Sequence, residues 1–252
     1  MPSHAPLRLS PDEAHVWWID ASAGCDLPEA AAILDDDERT RAARFHFETD
    51  RQLYTLSHAL VRRALCAYIP TVTPEAWRFR RTPTGRPAIA DDAHAWLRFS
   101  LTHTDGCAAL VVTRDADAGI DLESRARTPD IPGIASRWFT TEEADRVRDA
   151  AVPDRLDVFL QIWTMKEAYL KATGVGLSGA LQSVTCRRLS ETRGAYVLTG
   201  DTVATDAWQA VLFTPTDRHV GAVCVPSATV RSTMTRALPT DWVSAGSAAF
   251  RD

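Results

Sequence analysis

Apolar and polar positions along the chain fall into two successive rounds of strand and helix patterning. Ala14 to Asp20 (AHVWWID) is a β-rich apolar run that predicts a first strand, followed by a turn-rich stretch through Gly24 and Pro28. Asp35 to Arg44 begins with acids and ends in arginines, the order that suits a helix dipole. From Asp50 to Tyr68, Leu53, Leu56, Leu60, Ala64 and Tyr68 recur at helical spacing and predict a second helix. Short strands are expected at Arg78 to Arg81, Leu97 to Thr102 and Cys107 to Thr113. Pro83 to Pro87 forms a rigid turn among them, and Thr104-Asp105-Gly106 a hairpin turn.

The pattern restarts after Asp117. Ala118 to Glu123 predicts a strand, then come helices at Ile131 to Trp138 and Thr140 to Ala150, the latter opened by a Thr140/Glu143 capping box. The longest helix is expected from Arg155 to Thr173, with Phe159, Ile162, Trp163 and Leu170 near one stripe and Gly174 as its stop. Strands follow at Leu181 to Leu189, Ala195 to Thr199, Trp208 to Phe213 and His219 to Val225. Helices plus about three strands in each round indicate an α+β fold with a structural duplication. Beyond Pro226 the chain turns to Ser, Thr, Ala and Arg, with apolar anchors at Leu238, Trp242 and Phe250, and is expected to wrap the body as a loose tail.

Composition narrows the class. The 252 residues are 45% hydrophobic and 24% charged, enough for a sizeable core. A net charge of −5 argues against a nucleic-acid coat or a membrane-surface protein, both of which want positive charge. Five widely spaced cysteines without a C-x-x-C pair indicate neither a disulfide framework nor a zinc ribbon. With no basic-then-apolar leader at the N-terminus, the expectation is a cytoplasmic protein in a reducing compartment.

Three clusters carry chemistry. In Gly119-Ile120-Asp121-Leu122-Glu123, residues two apart share a strand face, so Asp121 and Glu123 present two hard carboxylates together, a set that suits Mg²⁺. Glu167 and Lys171 lie one helical turn apart beside Trp163 and Tyr169. Upstream, Arg41 and Arg44 close a helix, Arg86 sits in the proline-locked turn and His103 lies between Thr102 and Thr104, a combination of cation, hydroxyl and imidazole fit for a phosphate. Each cluster also has an ordinary reading: solvated carboxylates, a helix-surface ion pair of roughly 0.2–0.5 kcal/mol, a hydrogen-bonded structural histidine and solubilising arginines. The acidic run Asp35 to Glu38 is explained by the helix dipole. No G-x-S-x-G elbow, Walker-type phosphate loop, H-E-x-x-H or G-x-G-x-x-G occurs in the sequence.

Taken in order, GIDLE at 119 to 123 and WTMKEAYLKATGVGL at 163 to 177 resemble the paired signatures of the 4′-phosphopantetheinyl transferase superfamily, in its larger monomeric, surfactin-synthetase-activator (Sfp) type. RAARFHF at 41 to 47, TGRP at 84 to 87 and FSLTHTDG at 99 to 106 resemble weaker blocks of the same family. The resemblance implies a pseudo-twofold fold with subdomains at 1–117 and 118–228 and a tail at 229–252, and a coenzyme A site between the halves. It implies Mg²⁺-dependent transfer of the phosphopantetheine arm of coenzyme A to a serine of an apo acyl or peptidyl carrier protein, by a monomer. By motif match Asp121, Glu123 and Glu167 would hold Mg²⁺, Glu167 would serve as base and Lys171 would neutralise the departing phosphate. Arg86 and His103, with Thr102, Arg41 and Arg44, would contact the 3′-phosphate side of coenzyme A. Glu38 stands where some relatives carry a basic contact. Arg137, Arg146 and Arg148 are candidate contacts for an acidic carrier helix. Two other classes fit the same residues: a noncatalytic coenzyme A or carrier-binding module, and a Mg²⁺-dependent hydrolase of nucleotide pyrophosphates.

Overall fold

The structure, a computed structural model, describes residues 6–83, 85–127, 129–174, 181–189, 195–200, 203–227, 231–236 and 247–249. In chain order the strands and α-helices of the first round are β1 (Glu13–Asp20), α1 (Leu27–Ala32), α2 (Asp36–Ala42), α3 (Glu48–Tyr68), β2 (Phe79–Arg81), β3 (Pro87–Ile89), β4 (Leu97–Thr104) and β5 (Cys107–Arg114). The second round holds β6 (Gly119–Ser124), α4 (Ile131–Trp138), α5 (Thr141–Asp149), α6 (Arg155–Thr173), β7 (Val184–Arg188), β8 (Ala195–Gly200), β9 (Val203–Phe213) and β10 (His219–Pro226). Two further strands, β11 (Arg231–Arg236) and β12 (Ser247–Ala249), close the list.

Two five-stranded sheets result, in the orders β12-β11-β1-β5-β4 and β6-β10-β9-β8-β7. Each carries one long helix: α3 packs over β1, β5 and β4, and α6 over β6, β10 and β9. This is the duplicated α+β architecture anticipated from the patterning. The periodic residues of α3 are the ones it buries, with Leu53, Leu56, Leu60, Ala64 and Tyr68 among them. The opposite sheet faces meet each other. Ala14, Val16 and Trp18 of β1 and Cys107, Ala109 and Val111 of β5 share a core with Ile120 and Leu122 of β6 and Val223 and Val225 of β10. The strand alternation that buries Ile120 and Leu122 between the sheets turns Asp121 and Glu123 toward α6.

Several local expectations are refined. Asp105 (φ 30°) and Gly106 (φ 83°) make the two-residue hairpin loop between β4 and β5, with both residues in the positive-φ conformations of a type I′ turn. Asp26 caps a short helix, α1, with Pro28 in its first turn, where the sequence reading placed only turns. The strand expected from Leu181 begins instead with a 3-10 turn at Leu181–Ser183. The loose tail is corrected as well: β11 adds to β1 in parallel, from Glu13 opposite Arg231 to Trp18 opposite Arg236, and β12 pairs with β11. The available hydrogen-bonding edge of β1 recruits a segment whose polar composition gave no strand signal. All five cysteines are free thiols, and among the described residues no helix is long and apolar enough to cross a membrane.

Candidate active site at the junction of the halves

Gly119 sets the distance between β6 and α6. A β-carbon at this position would stand 1.9 Å from the Ala168 carbonyl oxygen and 2.5 Å from the Ala172 amide nitrogen, so strand and helix backbones touch only because residue 119 has no side chain. On the helix side the small residues Ala168 and Ala172, both buried, complete the fit. This contact places the strand's acids against the helix residues one turn apart, Glu167 and Lys171.

Lys171 Nζ donates to Asp121 Oδ1 at 2.6 Å and to Thr102 Oγ1 at 3.1 Å, and the Thr102 hydroxyl donates to Asp121 Oδ1 at 3.3 Å. Thr102 belongs to β4, so this triad crosses from one half of the molecule to the other. Asp121 Oδ2 is buried without a hydrogen-bond partner. Burial pushes the Asp121 carboxyl up, against the opposing pull of Lys171. Glu123 accepts from Trp163 Nε1 and from Arg127 Nη1, each at 3.2 Å, and is also pushed up, by burial and then by Asp121. Glu167, half-buried, is raised to about 7 by burial and by the charges of Asp121 and Glu123. Three carboxylates disfavour one another's ionised forms here, and one lysine offsets part of that repulsion.

Of the upstream residues, His103 sits next to Thr102 in β4 but on the opposite strand face, the one shared with Leu97, Phe99 and Leu101. Desolvation and the nearby His58 and Lys171 hold its pKa below the usual histidine range. Arg86 does something else. Its guanidinium donates to the Ala172 carbonyl at 2.8 Å and the Ala118 carbonyl at 3.2 Å, and lies 3.4 Å from Asp117. It thereby ties the β2–β3 hairpin to the end of α6 and the start of β6. Together with Arg80, Arg98, Leu97 and Phe99 it also lines a cavity of about 250 Å³. Arg41 and Arg44 line a separate open depression of about 480 Å³ with Asp37, Thr40 and Phe45, and Arg41 stacks over the Tyr54 ring. Thr84 of the TGRP turn and residues 175–177 of the second signature lie outside the described residues.

Glu38, the residue out of place for a phosphate contact, has a structural task. It completes the capping box of α2 with Asp35, receives Arg62 Nε at 2.8 Å and lies 2.9 Å from His58 Nδ1. Arg62 is fully buried and also reaches Asp35 and the carbonyls of Pro74 and Trp77. Lys166, the neighbour of Glu167, is likewise a core residue. Its ammonium meets Glu143 at 2.7 Å and the Leu181 and Val184 carbonyls at 2.6 Å each, which accounts for the 3-10 turn at that point. Nothing in the spacing of the sequence marks either ion pair, because the partners lie on different elements. Of the three arginines considered for a carrier, Arg137 stacks on Trp138, Arg146 donates to the Cys186 carbonyl, and Arg148 is paired with Asp145 and Asp149.

The two halves thus bring three carboxylates and a lysine together at their junction. The profile of the 4′-phosphopantetheinyl transferase superfamily matches residues 117–224, and that of the 4′-phosphopantetheinyl transferase N-terminal region matches residues 21–114. The chain is 33% identical over 227 residues to the 4′-phosphopantetheinyl transferase HetI of Nostoc sp., an alignment covering 89% of this chain and 92% of that one. It is 28% identical over 172 residues to a 4′-phosphopantetheinyl transferase of Bacillus pumilus, covering 68% and 71% of the two chains. It is also 28% identical over 189 residues to the human L-aminoadipate-semialdehyde dehydrogenase-phosphopantetheinyl transferase, covering 69% of this chain and 60% of that one. The chain belongs to the 4′-phosphopantetheinyl transferase superfamily, and it is an enzyme of that class.

Proposed function

We propose that the protein transfers the phosphopantetheine arm of coenzyme A to a serine hydroxyl of an apo carrier protein, with Mg²⁺ as cofactor and adenosine 3′,5′-bisphosphate as the second product. The observation that carries this reading is the facing of Asp121 and Glu123 on β6 against Glu167 and Lys171 on α6, with Asp121 Oδ2 buried and unpartnered. Those carboxylates are the hard oxygen donors Mg²⁺ takes, and a cation bound among them would lower their raised pKa values. As they stand, no three acid, histidine or cysteine side chains among the described residues converge closely enough to hold an ion. Lys171 occupies Asp121 Oδ1, while Trp163 and Arg127 hold Glu123. By donor chemistry and the unpartnered Asp121 Oδ2 the set fits the metal, and Asp121, Glu123 and Glu167 would hold it. Bound there, Mg²⁺ would supply charge compensation for the pyrophosphate of coenzyme A.

The chain's own residues divide the remaining work. Glu167 takes the proton of the carrier serine, directly or through a water, as the serine oxygen forms a bond to the β-phosphorus. The pyrophosphate P–O bond breaks, and the electron pair leaves with adenosine 3′,5′-bisphosphate. Lys171 offsets the charge that develops on the departing phosphate. His103 and the arginines receive the nucleotide end. Because both halves of the site lie in one chain, a monomer suffices.

Incubation with coenzyme A, Mg²⁺ and a panel of apo acyl and peptidyl carriers tests the reading. A phosphopantetheine mass should appear on the carrier, and Asp121→Ala or Glu167→Ala should abolish it. No mass gain on any carrier overturns the proposal, and release of adenosine bisphosphate without a carrier would redirect it to pyrophosphate hydrolysis.

A further inference from the structure

The family resemblance implies places for Lys171 and Thr102 on the nucleotide side of the reaction, yet in the structure both bond to Asp121. The ammonium stands 2.6 Å from Asp121 Oδ1, and the Thr102 hydroxyl accepts from that ammonium while donating to the same carboxylate oxygen. Asp121 and Thr102 are both buried, whereas the Lys171 side chain is 32% exposed and so retains a route outward. A divalent cation and a lysine ammonium are like charges drawn to one carboxylate, and the ammonium on Oδ1 stands close enough to repel a cation at Oδ2.

We propose that Lys171 is a built-in stand-in for the cation, latched onto Asp121 by Thr102, and that metal binding releases it toward the incoming substrate phosphate. This rests on the reading that the three carboxylates take a divalent cation. The latch has two consequences. Metal affinity of the free enzyme is held down, because the ammonium on Oδ1 repels a cation arriving at the unpartnered Oδ2. Metal and coenzyme A bind cooperatively, because the substrate phosphate offers Lys171 another partner, and by linkage each ligand favours the other equally. An enzyme arranged in this way leaves the most buried of its three site carboxylates neutralised between turnovers and delivers the lysine when the substrate is present.

The test uses the full chain and Mn²⁺, counted by its electron paramagnetic resonance signal, without carrier protein. In the absence of coenzyme A, Lys171→Met should bind Mn²⁺ about tenfold more tightly than wild type, within the usual span of coupling between sites. Thr102→Val keeps every charge and nearly the same shape, so it reports even where Lys171→Met fails to fold. It should tighten Mn²⁺ by about threefold, the scale of one lost hydrogen bond, and add nothing in the Lys171→Met background. Coenzyme A should tighten Mn²⁺ on wild type more than on Lys171→Met. Equal Mn²⁺ affinity in wild type and both single variants overturns the latch and leaves the metal site standing. So does a Thr102→Val effect that persists undiminished without Lys171, since the hydroxyl would then act on Asp121 alone. Failure of wild type and variants alike to bind Mn²⁺ overturns the latch and the metal reading together.

Discussion

Gly119 and Ala168 are in backbone contact: a β-carbon on residue 119 would lie 1.9 Å from the Ala168 carbonyl oxygen. The acids of β6 and the Glu167–Lys171 face of α6 are therefore held at a spacing fixed by a missing side chain. Gly119→Ala must push strand and helix apart. The expected result is a fall in kcat of ~100-fold or more, as for small displacements of reacting groups, with a stability loss of about 1–3 kcal/mol from overpacking. Carrier-loading rates and urea denaturation measure both, and a variant with wild-type turnover would show that this contact does not set the site.

Lys166 and Glu143 form a fully buried pair. Replacing the lysine by methionine leaves a carboxylate in the core facing two carbonyls that have lost their donor. A loss of about 3–5 kcal/mol is expected, the usual effect of removing one member of such a pair. Equilibrium unfolding checks it; a loss under about 1 kcal/mol is incompatible with the pairing.

Arg86 bridges the hairpin to both site-bearing elements through the Ala172 and Ala118 carbonyls. Arg86→Ala should lower stability by about 1.5–3 kcal/mol, the range for hydrogen bonds to a charged group, and Arg86→Lys should recover only part of it, since an ammonium lacks the forked guanidinium geometry. Thermal melts without ligand decide the matter. An unchanged Tm in Arg86→Ala would falsify the bridging role and leave phosphate contact as its sole task.

The pH dependence of stability has a definite sign. Glu167 has a folded pKa of about 7 against an ordinary 4.5, and Asp121 and Glu123 are raised too. Between those values the folded protein binds more protons than the unfolded chain, so stability falls as pH rises from about 4.5 to about 7. In EDTA the Tm contribution of this cluster should therefore decline over that interval. Added Mg²⁺ should raise the Tm most at and above pH 7, where the acids are ionised and can bind it. Comparing Tm from pH 5 to 8 with Asp121→Asn as reference isolates the cluster; a Mg²⁺ effect independent of pH would contradict the assignment.

Deleting the residues after Ser227 removes β11 and β12 and uncovers the edge of β1. The truncated protein should melt at a lower temperature and self-associate through that edge, which size-exclusion chromatography at several concentrations would show. A monodisperse truncation with an unchanged Tm would mean the edge is tolerated bare.

The sequence revealed most where periodicity and chemistry coincide. The bounds of α6 and the alternation of Ile120 and Leu122 with Asp121 and Glu123 were legible because burial on one face dictates residue type directly. The division of labour within the second signature was not. Lys166 and Lys171 are the same residue type five positions apart, yet roughly 140° of helix rotation separates them. One points into the core at Glu143 and the other at Asp121. Glu38 looked like dipole-complementing charge because its partners, Arg62 and His58, come from α3 and leave no trace in local spacing. Thr102 was recognisable as a hydroxyl near a histidine, but its reach across to Asp121 depends on how the two sheets stack.

The parallel pairing of β1 with β11 joins stretches near opposite ends of the sequence, with the whole second half lying between them. A nascent chain leaving the ribosome can build α3 onto β1, β5 and β4 early, but that sheet gains its outer strands only after the second half has been synthesised. A translation product that stops before β11 would therefore carry the site residues of both halves on a first sheet whose β1 edge is still open.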